Sequence, residues 1–444
     1  MQLEIIVRQR SGKKILSEEL IHSEQIREPQ NLLELGFRHE EQVKMLEKIQ
    51  SSYIPLQWSS LMHRYDVCPD CKRTTRKNGV HKAHFHSSLS DHILLVQGYS
   101  CRCGWQIKPT IHGEFGSNVH PDLLKIQASL GSKMSYQEAQ ATLSVLSCDV
   151  RSANNHVKIA QATQRLGSIL NELKLTENIQ DISPASHLYM HVDGGHIKDK
   201  DRDKRSFEAM IVKVFKPESC IKINDNQNLI EQKQIAASAL NDNGQSIKTL
   251  TLKSLQKEGL SSQTTITAFC DGASNCWSVV DSLQSHCGKI TKILDWYHIR
   301  QAYERLMTAL PQEAEALQSS KYKIWHGKSA EGITKLQELE KTMESRKLAS
   351  EIIKKITSVI TYLSNNQDKL VNYRERKDQN IPYTSSIAES TVESIINMRF
   401  KRKQKMQWTR ANAHNVLQLR TSMASNEWSK YQSNIDQELI KKVA

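Results

Sequence analysis

Two aspartates in this chain follow apolar runs and are followed at once by glycine. Asp193 comes after "LYMHV" and before Gly194 and Gly195, and Asp271 comes after "TITAFC" and before Gly272. The carboxyl ends of strands in α/β sheets are where ligands and catalytic groups collect, so an acid there has a chemical reading. The plain alternative is a turn or a helix cap, because Asp-Gly is a common turn dipeptide and Asp a good N-cap. If the two strands are parallel neighbours, the carboxylates meet at one sheet end, and like charges that close are unfavourable without a cation between them. Hard oxygen donors select magnesium or manganese. A third acid can come from "YTSSIAESTVES" at 383–394, which offers Glu389 and Glu393 one helical turn apart. A triad holding two metals about 4 Å apart can activate an attacking oxygen and stabilise a leaving one in phosphodiester chemistry.

A second cluster is soft. Of nine cysteines, only Cys68, Cys71, Cys101 and Cys103 form close pairs, in "CPDC" and "CRCGW". In a reducing compartment two such pairs suit structural zinc, with His81, His84 or His86 able to replace one ligand. The alternative is buried free cysteine, which packs as a small hydrophobe. A four-thiolate site has no open position, so its role is structural.

The elements that must position these groups can be read from periodicity. Residues 1–60 read as a short strand and then a helix with Val43, Leu46, Ile49 and Tyr53 on one apolar face. The zinc segment spans 61–117. From 118 to 170 the pattern is helical: "SYQE" at 135–138 has the form of a capping box that starts a helix at Tyr136. A second helix is expected from near Ser152 to Gly167. The pair has a helix-turn-helix outline in which Asn154, Asn155, His156, Lys158 and Gln161 face a major groove, although most helix pairs are simply packing units. Strands are expected over 187–197, 207–215, 265–270 and "KITKILDWY", with "KDKDRDKR" as a charged turn, a helix over "WSVVDSLQ", and helix after helix from Ile299 to about 380.

With 444 residues and a net charge of +13, the chain is large enough for two or three domains and points to a polyanionic partner, nucleic acid being the commonest. No apolar stretch approaches membrane-spanning length, and the first residues lack the form of a secretory signal, so a cytoplasmic location is expected.

Taken in order, "HVDGG", "FCDGASNCW", "ILDWYHI" and "SSIAESTVESIINMRFKRKQKMQW" resemble the DDE transposases of bacterial insertion sequences, in the branch with a helical insertion before the glutamate. The resemblance extends from Cys68 to Trp428 and includes "CRCGW", the "SYQEA" helix pair and "NVLQLRTSMASNEW". It implies an α/β ribonuclease H-like catalytic domain over 171–444 with an all-α insertion at about 300–380, preceded by the zinc-binding β module and the helix-turn-helix. It assigns the acids to Asp193, Asp271 and Glu389, with Glu389 preferred over Glu393 because the family's glutamate lies ten residues before an arginine, here Arg399. Two Mg2+ (or Mn2+) per site, binding of element ends and target DNA, a homodimer or larger assembly on DNA, and a nucleoid-associated location in a bacterium follow from the same resemblance. Asp295 competes with Asp271, but follows the fifth strand where the family's second acid follows the fourth. With His298 it is expected to support the site or orient DNA; His298 otherwise packs on Trp296 or Tyr297 at a helix start. Where the family places glycines around the serine before its glutamate, this chain has Thr384 and Ser386.

Residues 398–410 carry Arg399, Lys401, Arg402, Lys403, Lys405 and Arg410 without an acid. They are expected to contact phosphates, with Trp408 stacking on an unpaired base, or else to form a solvated basic face. Two other functions stay open at this point: a metal-dependent nuclease without strand joining, and a zinc-containing DNA-binding protein whose acids are structural.

Overall fold

The computed structural model describes every residue except 225–226, 347–348, 386–390, 402–405 and 442–444. The chain divides into two units, Met1–Leu166 with Gln432–Ala444, and Gly167–Tyr431. The three N-terminal segments expected from sequence therefore lie, up to Leu166, in the first unit. Among the described residues no helix is long and apolar enough to cross a membrane.

The first unit opens with a hairpin where a single strand was expected. β1 (Gln2–Ser11) pairs with β2 (Lys14–Gln25), and Gly12 at φ 57° supplies the left-handed residue that the tight turn needs. α1 (His39–Met62) buries Val43, Met45, Trp58 and Met62. Leu46, Ile49 and Tyr53 are 47%, 37% and 55% exposed, so only Val43 of the expected apolar face is buried. Its last two turns place Trp58 and Met62 with Leu94, Val96 and Tyr99 in one core.

That core covers a sheet of β3 (Arg76–His86), β4 (Asp91–Ser100) and β5 (Gln106–Ile107), all antiparallel. α2 (Ile111–Phe115), α3 (Pro121–Lys133) and α4 (Tyr136–Ser147) follow. The capping box forms as expected: Glu138 N donates to Ser135 Oγ (3.3 Å) and Ser135 N to Glu138 Oε2 (2.9 Å). α5 (His156–Thr176) begins later than expected, because Ser152–Asn154 forms a 3-10 turn, and it passes through Gly167 without stopping. A Cβ at Gly167 would lie 2.3 Å from the Asn415 carbonyl oxygen, so this glycine permits close helix packing and is not a terminator.

The second unit is mixed α/β. Its strands are β6 (His187–Lys198), β7 (Ser206–Phe215), a small hairpin of β8 (Cys220–Asn224) and β9 (Gln227–Ile230), then β10 (Gln234–Ser238), β11 (Thr265–Cys270) and β12 (Lys289–Leu294). Five of them form one sheet in the order β10-β7-β6-β11-β12. β10, β7 and β6 are successively antiparallel, whereas β11 and β12 run parallel to β6. α6 (Gln245–Lys257) and α7 (Ser274–Asp281) pack on this sheet. Ile266, Ala268 and Phe269 of β11 are all buried, as the unbroken apolar run required.

From β12 the chain is helical: α8 (Trp296–Ala309), α9 (Ala314–Trp325), α10 (Ser329–Ser345), α11 (Ser350–Asn365) and α12 (Tyr373–Asp378). Ile299, Tyr303, Leu317, Leu336, Ile356 and Leu363 join them to the core of the sheet. A π-helical turn, Val392–Asn397, runs into α13 (Met398–Phe400), and α14 (Arg410–Ala424) packs on β10 before α15 (Trp428–Lys441).

Candidate functional site

The site is built at one end of the sheet by register. The β6–β11 ladder ends with Val192 opposite Cys270, and the β11–β12 ladder with Cys270 opposite Leu294. Asp193, Asp271 and Asp295 are the next residues on the three strands, so they form a row at the carboxyl end of the parallel portion. Asp295 N donates to the Cys270 carbonyl (2.9 Å), extending the ladder by one bond.

Asp193 is not in a turn. β6 continues to Lys198, paired with β7 as far as Ser206, and the hairpin bends over the charged segment after it, where expected. The glycines serve close approach: a Cβ on Gly194 would meet Glu208 Oε1 at 2.2 Å, and one on Gly195 would meet Ile396 Cδ1 of the π-helical turn at 2.7 Å. Burial pushes the Asp193 carboxyl above its ordinary range; His298 and the Gly194 N–H (2.7 Å) oppose this, and the charges of Asp271 and Asp295 reinforce it. His298 packs edge-on against Tyr297 (5.3 Å), as its ordinary reading anticipated, while also acting on Asp193.

Asp271 is half-buried, and its Oδ1 accepts from Ala273 N (2.9 Å). Its carbonyl accepts from Tyr362 Oη of α11 (2.9 Å). Gly272 at φ 99° makes room for that contact, since a Cβ there would lie 2.7 Å from Tyr362 Cε2. Burial, with Asp271 and Asp295 nearby, pushes the Tyr362 phenol up, so it stays a donor.

Asp295 differs from both. It is 2% exposed and its carboxylate is filled with donors: Tyr297 N (3.0 Å), which makes it the N-cap of α8, Thr384 Oγ1 (2.8 Å), Ser385 N (3.1 Å) and the Ser385 hydroxyl. It anchors the segment that leads into residues 386–390. Glu389 and Ser386 lie outside the described residues. Glu393 is exposed and accepts from Asn397 Nδ2 (2.7 Å), consistent with a surface residue.

The four cysteines converge. Cys68 and Cys103 sulfurs are 3.6 Å apart and those of Cys71 and Cys101 are 3.4 Å apart. All four sulfurs lie within 4.8 Å of one another, and among the described residues theirs is the one group of three or more possible ligands this close. Tetrahedral zinc with Zn–S near 2.3 Å sets sulfurs about 3.8 Å apart, so the group could hold a structural zinc. Two tight turns shape it: Lys72 N donates to the Cys68 carbonyl (2.9 Å) and Gly104 N to the Cys101 carbonyl (3.1 Å), with Lys72 and Gly104 both at positive φ. Among the described residues no histidine joins the four sulfurs; His81 bonds the Pro109 carbonyl (2.8 Å) and His86 the Asp91 carboxylate (2.9 Å).

The residues expected to touch DNA divide. His156, Lys158 and Gln161 are exposed on the first turns of α5, while Asn155 Oδ1 caps that helix by accepting from Lys158 N (2.9 Å). Asn154 is 1% exposed and its Oδ1 accepts from Gln127 Nε2 (3.0 Å), so it packs the 3-10 turn and does not face a base. Trp408 is also buried, 6% exposed, edge-on to Phe400 (4.9 Å) and under the Arg399 guanidinium (4.7 Å). Its N–H and carbonyl bond the Lys198 carbonyl (3.0 Å) and Lys200 N–H (2.9 Å). Trp408 and Arg399, itself 1% exposed, are thus core residues and not a base platform and a phosphate contact. Lys401 is exposed; Arg402, Lys403 and Lys405 lie outside the described residues. Arg410 donates to the Ala239 carbonyl (3.1 Å) and lies over Phe207.

Sequence reasoning missed a cleft of about 1160 Å³ that opens beside Asp271 and His298 between α8 and α11. Arg305, Lys354, Lys355 and Tyr362 line it. Their signal was helical spacing: Arg305 follows His298 by seven residues, and Lys355 precedes Tyr362 by seven. It also missed Glu208, which accepts from Asn275 Nδ2 (2.7 Å) beside the acid row. The chain matches no protein-family model and no curated protein.

Proposed function

We propose that this chain is a DNA transposase with a ribonuclease H-like catalytic domain, which cleaves DNA at element ends and joins the exposed 3′-hydroxyl to target DNA. The observation that carries this reading is the placement of Asp193 and Asp271 on neighbouring parallel strands, one residue beyond their shared ladder. The sheet order β10-β7-β6-β11-β12, with three antiparallel strands and two parallel to the first, is the arrangement that such a domain requires. The five α-helices described between β12 and residue 378 would serve as the helical insertion.

The donor set fits a hard divalent cation. Asp193 is half-buried among like charges, and among the described residues neither it nor Asp271 has an arginine or lysine within ion-pair distance. Asp193, Asp271 and Glu389 would hold two magnesium ions, which when bound lower the pKa of an attacking oxygen and neutralise charge on the departing one. The protein's own part is positional. Asp295 fixes the segment before Glu389 through Thr384 and Ser385, Tyr362 fixes the Asp271 backbone, and His298 places a second titratable group beside Asp193. The cysteine cluster and the exposed face of α5, with His156, Lys158 and Gln161, would place the DNA, and joining two ends requires at least two copies of the chain. Soluble action on the bacterial nucleoid accompanies this reading.

The test is to incubate the purified chain with labelled element ends and Mg2+. Joined products that disappear in Asp271→Asn support transposition. Cuts without joins make it a nuclease, and retention of DNA without cutting, unchanged in Asp271→Asn, makes it a binding protein.

A further inference from the structure

The cleft beside Asp271 has a polarity that the acids alone do not explain. α8 leaves the sheet at Asp295 and carries His298 in its first turn and Arg305 seven residues on, about 10 Å further out at 1.5 Å per residue. α11 returns to the sheet, where Tyr362 bonds the Asp271 carbonyl, and Lys354 and Lys355 precede Tyr362 by about 10–12 Å. Both walls therefore bring cations to a similar distance from the acid row. Arg305, Lys354 and Lys355 are exposed, and none has a carboxylate within ion-pair distance among the described residues. Of the two acids lining the cleft, Asp271 and Glu304, the second is taken up by Arg300 (3.3 Å). Ala302, Leu306 and Val359 supply apolar surface between them.

We infer that this cleft is the track for the DNA strand whose reacting phosphate is presented at Asp271, with Arg305, Lys354 and Lys355 gripping phosphates a few nucleotides away. An acid row repels DNA, so a strand must be held by cations set back from it. Here those cations stand on the same two helices that fix the backbone of Asp271 and carry His298. The assignment of DNA as ligand rests on the transposase reading; the presence of a polyanion track rests on the cleft.

The experiment measures binding of a fluorescent single-stranded oligonucleotide by anisotropy over a series of salt concentrations, with calcium in place of magnesium. The full chain is compared with Arg305→Ala/Lys354→Ala/Lys355→Ala and with Lys335→Ala/Lys341→Ala, which removes two exposed lysines of α10 away from the cleft. Each phosphate contact contributes about 0.7 to the slope of log affinity against log salt, so the triple variant should lose about 2 from that slope and the control almost nothing. An unchanged slope in the triple variant, an equal loss in the control, or no binding by the parent chain overturns the inference. Cleavage by the parent chain in Mg2+, scored against Asp271→Asn, separates the two claims. A lowered slope without Asp271-dependent cleavage keeps the track and removes the transposase reading, and the opposite pair of results does the reverse.

Discussion

Asp193 and Asp271 occupy adjoining positions across β6 and β11, each one residue past Val192 and Cys270, the last paired residues of that parallel ladder. Both are half-buried. The Asp193 carboxyl is raised by burial and by Asp271 and Asp295, against His298 and the Gly194 N–H. A carboxyl whose folded pKa is raised favours its protonated form. Its contribution to stability is full below the unfolded value near 3.8 and is lost as pH rises through the raised folded value. Asp193→Asn should therefore raise the melting temperature of the metal-free protein at neutral pH, and the gain should vanish as pH falls to the unfolded value near 3.8. Thermal melts across pH, with EDTA present, check this.

Asp295 is predicted to behave in the opposite way from Asp271. Four donors converge on its buried carboxylate, and they lose their acceptor in Asp295→Ala. The cost should be about 3–5 kcal/mol in urea unfolding, whereas Asp271→Asn should change stability by less than about 1 kcal/mol. Equal effects would remove the distinction between an anchoring acid and the one proposed to face a metal.

Gly195 should tolerate no side chain unless its neighbour yields. Gly195→Ala places a Cβ 2.7 Å from Ile396 Cδ1 and should destabilise by about 1–3 kcal/mol. Ile396→Val in the same chain removes that methyl and should recover most of the loss. A double variant no better than the single one would mean that contact is not the reason for the glycine.

The cysteine cluster makes a compositional prediction. The purified chain should contain one zinc per molecule by elemental analysis, and Cys68→Ser/Cys101→Ser should contain none. Binding free energy of structural zinc is about 10 kcal/mol or more and is realised as folding, so the variant should become protease-sensitive between β3 and β5. A metal-free parent chain with the same protease resistance would show that the sulfurs only pack together.

Much of this site was legible because strands with unbroken apolar runs have few places to go. "TITAFC" had to be a buried strand, and "DG" after it had to mark the strand end. For "DGG" after Val192 the same logic left a turn open as the alternative, although the expected strand ran through it to Ile197, as β6 does. Gly194 and Gly195 are instead demanded by Glu208 and Ile396, one from a neighbouring strand and one from a helix two hundred residues later, neither of which local sequence encodes. Asn154, Arg399 and Trp408 failed for a related reason. Polar, cationic and aromatic residues near a proposed site suggest ligand contact, but burial depends on what packs over them, here Gln127, Met406 and the Lys198–Lys200 backbone. The cleft cations were invisible for want of a partner helix: Arg305 and Lys354 are 49 residues apart and share a wall system only once α8 and α11 have packed. Gly167 shows the limit of a stop signal, because Asn415 needed the space that a side chain would fill.

The claim on which the rest depends is that a divalent cation sits between Asp193 and Asp271. Ferrous ion substituted for magnesium, followed by ascorbate and peroxide, cuts a polypeptide beside the metal, and the cut positions are read by mass spectrometry. Cuts adjoining Asp193 and Asp271 that are suppressed by excess Mg2+ and absent in Asp271→Asn are the predicted result. Cuts elsewhere, or cuts at these residues that persist in Asp271→Asn, would contradict it.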